Sequence, residues 1–215
     1  VGLLTAPVIA DDADVHPACL DAAARAALLL EGLGHRVEEA PIPFPAERWQ
    51  AFLALWSVGA LGIDIPEERE HLLRPLTRWL REVGRQVSGV EYATAAASAQ
   101  LLARDVATAW DGFDVIVTPT LAQPPVRIGE LRDDADPEGD FNAQTRFTPW
   151  TSVYNLSGRP AISLPLHTAL IEGVRLPIGV MLGGRSGAEE TLLSIAAAVE
   201  SVAPWEHPGV QPALP

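Results

Sequence analysis

VGLLTAPVIADDADVHPACLDAAARAALLLEGLGHRVEEA, residues 1–40, carries the pattern that decides the fold class. Val1 to Ala6 is an apolar run with the length of a buried strand, and the Ala- and Leu-rich stretch after it has the length and composition of a helix. Asp14 is placed to cap that helix, which reaches about Gly32 and stops at Gly34, and His35 to Ala40 follows as a second strand. Strand, helix and strand in this span make a βαβ unit, whose right-handed crossover sets the two strands parallel in one sheet. The class is therefore α/β, and a length of 215 residues suits one domain.

Beyond this unit, PIPFP leads into Ala46 to Leu61, where Trp49, Phe52, Leu53 and Trp56 recur at helical spacing. A further helix is expected from Pro66 to about Val83, and Ser88 with Glu91 forms a capping box that opens a long helix ending near Trp110. FDVIVTPT, Phe113 to Thr120, reads as a strand that stops at Pro119, since proline has no amide hydrogen for a ladder. Its carboxyl end is a place to look for ligands, which open α/β sheets bind beyond the ends of their strands. Leu121 to Asn142, with ELRDDADPEGD, lacks periodicity and is expected as a loop. A short helix should start at Thr148 and Pro149 and run through Leu156. Strands follow at Ala161–Leu166 and Leu176–Leu182, neighbours about a turn at Glu172 and Gly173. Ser186 and Glu189 form a second capping box for a helix from Ala188 to about Val202, before a Pro-rich tail.

Hydrophobic residues make up 48% and charged residues 20%, a balance that gives a packed core. A net charge of −13 repels phosphate-rich partners, which argues against nucleic acid. No uncharged apolar run reaches membrane-spanning length, no basic-then-apolar leader opens the chain, and the lone Cys19 reads as a small core residue; together these fit the reducing cytoplasm. The chain opens without Met, directly on a strand, as if cut from a longer protein. All 15 basic residues are Arg, so a mechanism that needs Lys has no residue here, and Arg cannot give up its proton near neutral pH.

Several chemistries find no support. There is no G-x-S-x-G elbow for a nucleophile. His16, His35, His71, His167 and His207 sit singly, without the spacing of metal ligands, so no metal and no organic cofactor is expected. GGRSGAEE lacks the Lys of a phosphate-binding loop, and Ser186 is accounted for as a cap. Adjacent carboxylates at Glu38 and Glu39, and at Asp133 and Asp134, read as solvated charges.

The specific signal lies between Phe147 and Glu200. FTPWTSVYNLSGRPAISLPL, then LPIGVMLGG, then GAEETLLSIAAAVE supply Thr151, Asn155, Gly158, Pro160 and Ala161, then Pro177 and Gly179, then Glu190 with Leu192 and Leu193. In this order they resemble the C-terminal signature of the amidase-signature family: a T-x-x-x-N-x-x-G-x-P-A element, a P-x-G strand and an E-x-x-L-L helix. The opening βαβ and FDVIVTPT are similar to earlier blocks of that family, so the resemblance covers nearly the whole chain. It implies an α/β/α sandwich around a mixed sheet, with residues 1–215 as the C-terminal portion of a single amidase domain.

The same resemblance implies a parent enzyme that cleaves carbon–nitrogen amide bonds with a nucleophilic Ser, a second Ser and a Lys base. All three belong to a Gly/Ser-rich N-terminal half that does not occur here, so no catalytic residue is assigned in this chain and the chain alone is expected to be inactive. Thr120, Phe147, Trp150 and Thr151 are the implied pocket lining, with packing as the alternative. Asn155 is expected to tie down loop backbone through its amide, Gly158 and Pro160 to shape the turn into the next strand, and Gly179 to belong to the P-x-G strand. Met181 stands where Gln is frequent. The FTPWT wording resembles members acting on apolar or linear amides, such as nylon-oligomer hydrolases and aryl acylamidases. Glutamine-using members carry an acidic residue where this chain has Thr148, which disfavours a role in glutamyl-tRNA(Gln) amidotransferase. A noncatalytic binding module, or a degenerate family member, is the alternative from another class. The implied partners are a small-molecule amide and the missing N-terminal half. An open sheet edge would otherwise drive self-association into a homo-oligomer.

Overall fold

The computed structural model describes residues 1–205, and the tail beyond Trp205, with His207, lies outside them. The chain begins with β1 (Gly2–Leu3), α1 (Pro17–Gly32) and β2 (Glu38–Glu39), and β1 pairs in parallel with β2. The βαβ expectation therefore holds, with strands much shorter than the apolar runs that suggested them. The cap of α1 differs from expectation: His16 takes that place, its Nδ1 accepting from the Ala18 amide at 3.1 Å. Pro17 decides this, because it favours the first helical position and pushes the residue before it out of helical geometry. Asp14 serves instead through its carbonyl, which accepts from Gln123 Nε2 at 2.7 Å.

A 3-10 turn at Ala46–Ala51 runs into α2 (Phe52–Leu61). The single helix expected over 66–83 is two pieces, a 3-10 segment at Glu67–Leu72 and α3 (Pro75–Gln86). Pro75 causes the break: it removes an amide donor and holds Arg74 extended at ψ 147°. α4 (Gly89–Ala109) opens on the expected capping box, with Ser88 and Glu91 each accepting from the other's backbone amide. β3 (Val115–Pro119) follows. The stretch expected as loop to Asn142 instead turns helical at α5 (Pro137–Phe147), capped by Asp136, whose carboxylate accepts from the Gly139 amide at 3.0 Å. Thr148 ends that helix, and α6 (Thr151–Ser157) starts three residues later than Thr148. β4 (Ala161–Ile171) and β5 (Val174–Gly184) form a hairpin longer than expected, closed by Glu172 (φ 48°) and Gly173 (φ 82°), both left-handed as a two-residue hairpin turn requires. α7 (Glu189–Val202) closes the described chain without the expected Ser186 cap, since left-handed Gly187 (φ 76°) turns the backbone before the helix and leaves Ala188 at the capping place.

The strands form one five-stranded sheet in the order β2-β1-β3-β5-β4. β1, β2 and β3 run parallel, while β5 lies antiparallel to both β3 and β4, so the sheet is mixed. Side-chain alternation distributes the core over both faces. Val115, Val117, Val180 and Leu182 pack under α1 and α7 against Ala22, Ala26, Leu30, Leu192 and Val199. Ile116 and Met181 face the other way, towards Leu102, Val106, Trp110, Val153 and Tyr154 of the α4–α6 side. Helices thus cover both faces, as the α/β/α expectation requires. No described helix is long and apolar enough to cross a membrane.

Candidate functional site

The parallel strands β1 and β3 end on the same side of the sheet, where hydrogen bonds join three loops. The Val8 and Ile9 amides both donate to the Pro149 carbonyl at 3.2 Å, and the Ala122 amide donates to that of Phe147 at 3.0 Å. Trp150 Nε1 donates to the Ala6 carbonyl at 2.8 Å. The loops after β1 and β3 and the segment between α5 and α6 are thereby fixed to one another at the carboxyl end of the sheet, where this architecture favours ligands.

The residues expected to line a pocket lie in different surroundings, and none of them borders either hollow described below. Trp150 is 1% exposed and sits in the core, its indole satisfied by Ala6. Thr120 is half-buried beside the sheet, its Oγ1 2.6 Å from Ser163 Oγ. This hydroxyl pair lies against Gly179, where a Cβ would come within 2.9 Å of Thr120 Oγ1 and 3.0 Å of Ser163 Oγ. Ser163 carries no chemical signal in its P-A-I-S run until the hairpin register brings it beside Thr120. Phe147 and Thr151 are half-buried, with Thr151 Oγ1 donating to the Thr148 carbonyl at 3.4 Å. Gly158 ends α6 in left-handed geometry (φ 67°), and the Pro160 carbonyl accepts from the Gly184 amide at 2.8 Å. Asn155 is exposed, and among the described residues its amide makes no hydrogen bond to loop backbone or to any other group.

Two adjoining hollows lie beside this corner. An open cleft of about 760 Å³ is bordered by Asp11, Asp12, Glu47, Trp49, Phe141 and Arg146. A smaller chamber of about 160 Å³ is bounded by Trp56, Leu76, Leu80, Thr148, Ser152 and Asn155. They share Ile9, Trp49, Phe52, Phe141 and Thr145 as a common wall. In the sequence Trp49, Phe52 and Trp56 show only helical spacing, which cannot tell a packed ring from one that borders a void.

Burial shifts the titration of several core side chains. Burial pushes the Tyr154 phenol well above its ordinary value, and the Arg159 guanidinium is held below its own by burial, while Arg159 Nε donates to the Gly184 carbonyl at 2.8 Å and its head lies 5.7 Å over the Trp110 ring. Burial pushes the Cys19 thiol up to about 11. Among the described residues no three His, Cys, Asp or Glu side chains converge as a metal-binding group.

A family model described as Amidase matches residues 2–193. The chain is 32% identical over 222 residues to a 6-aminohexanoate-cyclic-dimer hydrolase of Pseudomonas sp. (strain NK87), covering 95% of this chain and 44% of that protein. A protein of the same description from Paenarthrobacter ureafaciens is 32% identical over 223 residues, again with 95% of this chain and 44% of the relative covered. The solved structure of 6-aminohexanoate cyclic dimer hydrolase complexed with substrate superposes with a TM-score of 0.76 at 25% identity, over 95% of this chain and 45% of that one. A bacterial aryl acylamidase of the amidase-signature family shares the fold, with a TM-score of 0.68 at 22% identity, over 99% of this chain and 46% of the other. The chain spans less than half the length of these relatives.

Proposed function

The chain belongs to the amidase family, and from that premise we propose that it forms the substrate-binding portion of an enzyme that hydrolyses carbon–nitrogen amide bonds. The observation that carries the reading is the corner at the carboxyl ends of β1 and β3, where the Phe147–Thr151 segment is fixed between two strand ends beside a cleft of about 760 Å³. Hydrolysis of an amide needs a nucleophile, a proton acceptor and donors for the developing oxyanion. In this proposal a Ser nucleophile, a second Ser and a Lys base come from protein outside residues 1–215, and the chain by itself is inactive. The absence of Lys from all 215 residues supports this, because no residue here can take the base's role in that mechanism.

The division of labour follows. The Thr120–Ser163 hydroxyl pair joins the end of β3 to exposed Ser163 on the edge strand β4, and in this proposal the reacting groups are seated beside that pair. Thr120, Phe147 and Thr151 contribute to the wall around them, with Trp150 behind as support. A fluorophosphonate probe, which labels activated serines, tests the proposal on the complete protein. Peptide mapping should place the label outside residues 1–215, and hydrolysis of small amides should stop in proportion to labelling. Label on a serine of this chain, such as Ser163, would overturn the assignment.

A further inference from the structure

We propose that the 160 Å³ chamber is a specificity site for one uncharged apolar group, about the size of a benzene ring, carried by the amide that is cleaved. The inference deepens the amidase reading and rests on it.

Size, wall chemistry and the state of the polar groups point the same way. A cavity of roughly 150 Å³ holds one benzene ring, and this half-open chamber has nearly that volume. Its apolar side cannot easily collapse. Trp49 stacks on Phe52 at 4.4 Å between ring centres, Phe52 stacks on Trp56 at 5.4 Å, and Phe141 is braced by Trp79 at 5.7 Å. Rings held by rings keep the void open, so its filling by a ligand recovers dispersion contacts that the empty chamber lacks.

The polar side is selective in what it leaves available. Thr145 Oγ1 donates to the Phe141 carbonyl at 3.0 Å, and Thr148 Oγ1 donates to the Gln144 carbonyl at 2.9 Å. Gln144 Nε2 is engaged by Asp140 Oδ1 at 2.6 Å. Ser152 and Asn155 remain, with side chains that have no hydrogen-bond partner among the described residues. An Asn amide offers a donor and an acceptor together, which matches an amide group of a ligand. Among the described residues no Asp, Glu or Arg borders the chamber, whereas Asp11, Asp12, Glu47 and Arg146 all border the adjoining cleft. A charge placed in the chamber would therefore have no oppositely charged partner in its walls, which is unfavourable wherever those walls exclude water. Charged parts of a substrate belong in the cleft and the neutral apolar group belongs in the chamber.

The test uses the complete protein and three probes: benzamide, acetamide and 4-carboxybenzamide. Binding is measured by ligand-observed NMR and hydrolysis by amine or ammonia release. Benzamide should be preferred over acetamide by about tenfold or more in kcat/KM, the scale on which an apolar pocket discriminates, and 4-carboxybenzamide should bind at least tenfold more weakly than benzamide. Leu76→Trp fills the chamber from a partly buried position and should bring the benzamide-to-acetamide ratio near one, with Leu76→Phe giving an intermediate ratio. Asn155→Ala should raise the benzamide Kd by roughly three- to tenfold, one hydrogen bond's worth. Equal use of benzamide and acetamide, or an unchanged ratio in a folded Leu76→Trp protein, would overturn the chamber assignment while leaving amidase activity in place. Benzamide bound selectively but never cleaved would uphold the chamber and refute the hydrolase reading instead.

Discussion

At the scale of single residues, the glycines of β5 show how much of the site depends on missing side chains. Gly183 stands where any Cβ would overlap the Tyr154 ring, so the tyrosine occupies the space that a larger strand residue would fill. Gly183→Ala should destabilise the protein by about 1–3 kcal/mol, as overpacking does. In a double-mutant cycle, Tyr154→Ala should recover much of that loss; additive effects in denaturant unfolding would show that the ring and the glycine are not coupled. Cys19 gives a second check. Its thiol, pushed from 9.0 up to about 11, keeps its proton more firmly folded than unfolded. Its contribution to stability is therefore complete below pH 9.0 and is lost as pH rises towards about 11. Native protein should resist iodoacetamide at pH 8 and react once unfolded; rapid native labelling would refute the burial argument. Gly158, Pro160 and Gly179 stand out in the sequence because turns and close approaches leave a mark in residue type. Ser163 does not, since its partner Thr120 is 43 residues away and meets it only through the hairpin.

At the scale of elements, the legible features are those with local causes. The Ser88–Glu91 capping box, the Glu172–Gly173 turn and the β3 strand follow from short-range chemistry and lie where the sequence placed them. The misplacements also have local causes that pattern counting underweights: Pro17, Pro75 and Gly187 each reset an element boundary. α5 is hidden because an acidic run without apolar period masks a helix held by Asp136 and by buried Asp140. One contact that no pattern discloses joins α2 to α3. Arg81, 5% exposed, donates through Nη1 to the carbonyls of Ala60, Leu61 and Ile63 and through Nε to Glu70 at 2.7 Å. Arg81→Met should cost about 3 kcal/mol, because it strands the carbonyls at the end of α2. The Arg81 guanidinium also holds the Glu70 carboxyl below its ordinary value of 4.5. A lowered folded value means that this contribution is present above pH 4.5 and fades as pH falls below it. Wild-type stability should drop more steeply than that of Glu70→Gln on acidification; parallel curves would contradict the pairing.

At the scale of the whole molecule, the α/β class is legible because a βαβ unit leaves few alternatives, while the layered sandwich is legible through the family resemblance. The sheet order β2-β1-β3-β5-β4 is not, since nothing in local patterning says that the hairpin joins β3 through its second strand. Family membership is legible from three ordered elements, and the Amidase match over residues 2–193 agrees with it. The hollows are not, because cavities arise from how α2, α3, α5 and α6 fail to fill the space between them. The central claim is a division of labour, in which this chain binds the amide and residues outside it cleave the bond. Amide hydrolysis by the 215-residue chain alone, measured beside the complete protein at equal concentration, tests that claim most directly. The account predicts turnover by the complete protein and none by the chain alone; amide cleavage by the isolated chain would contradict it.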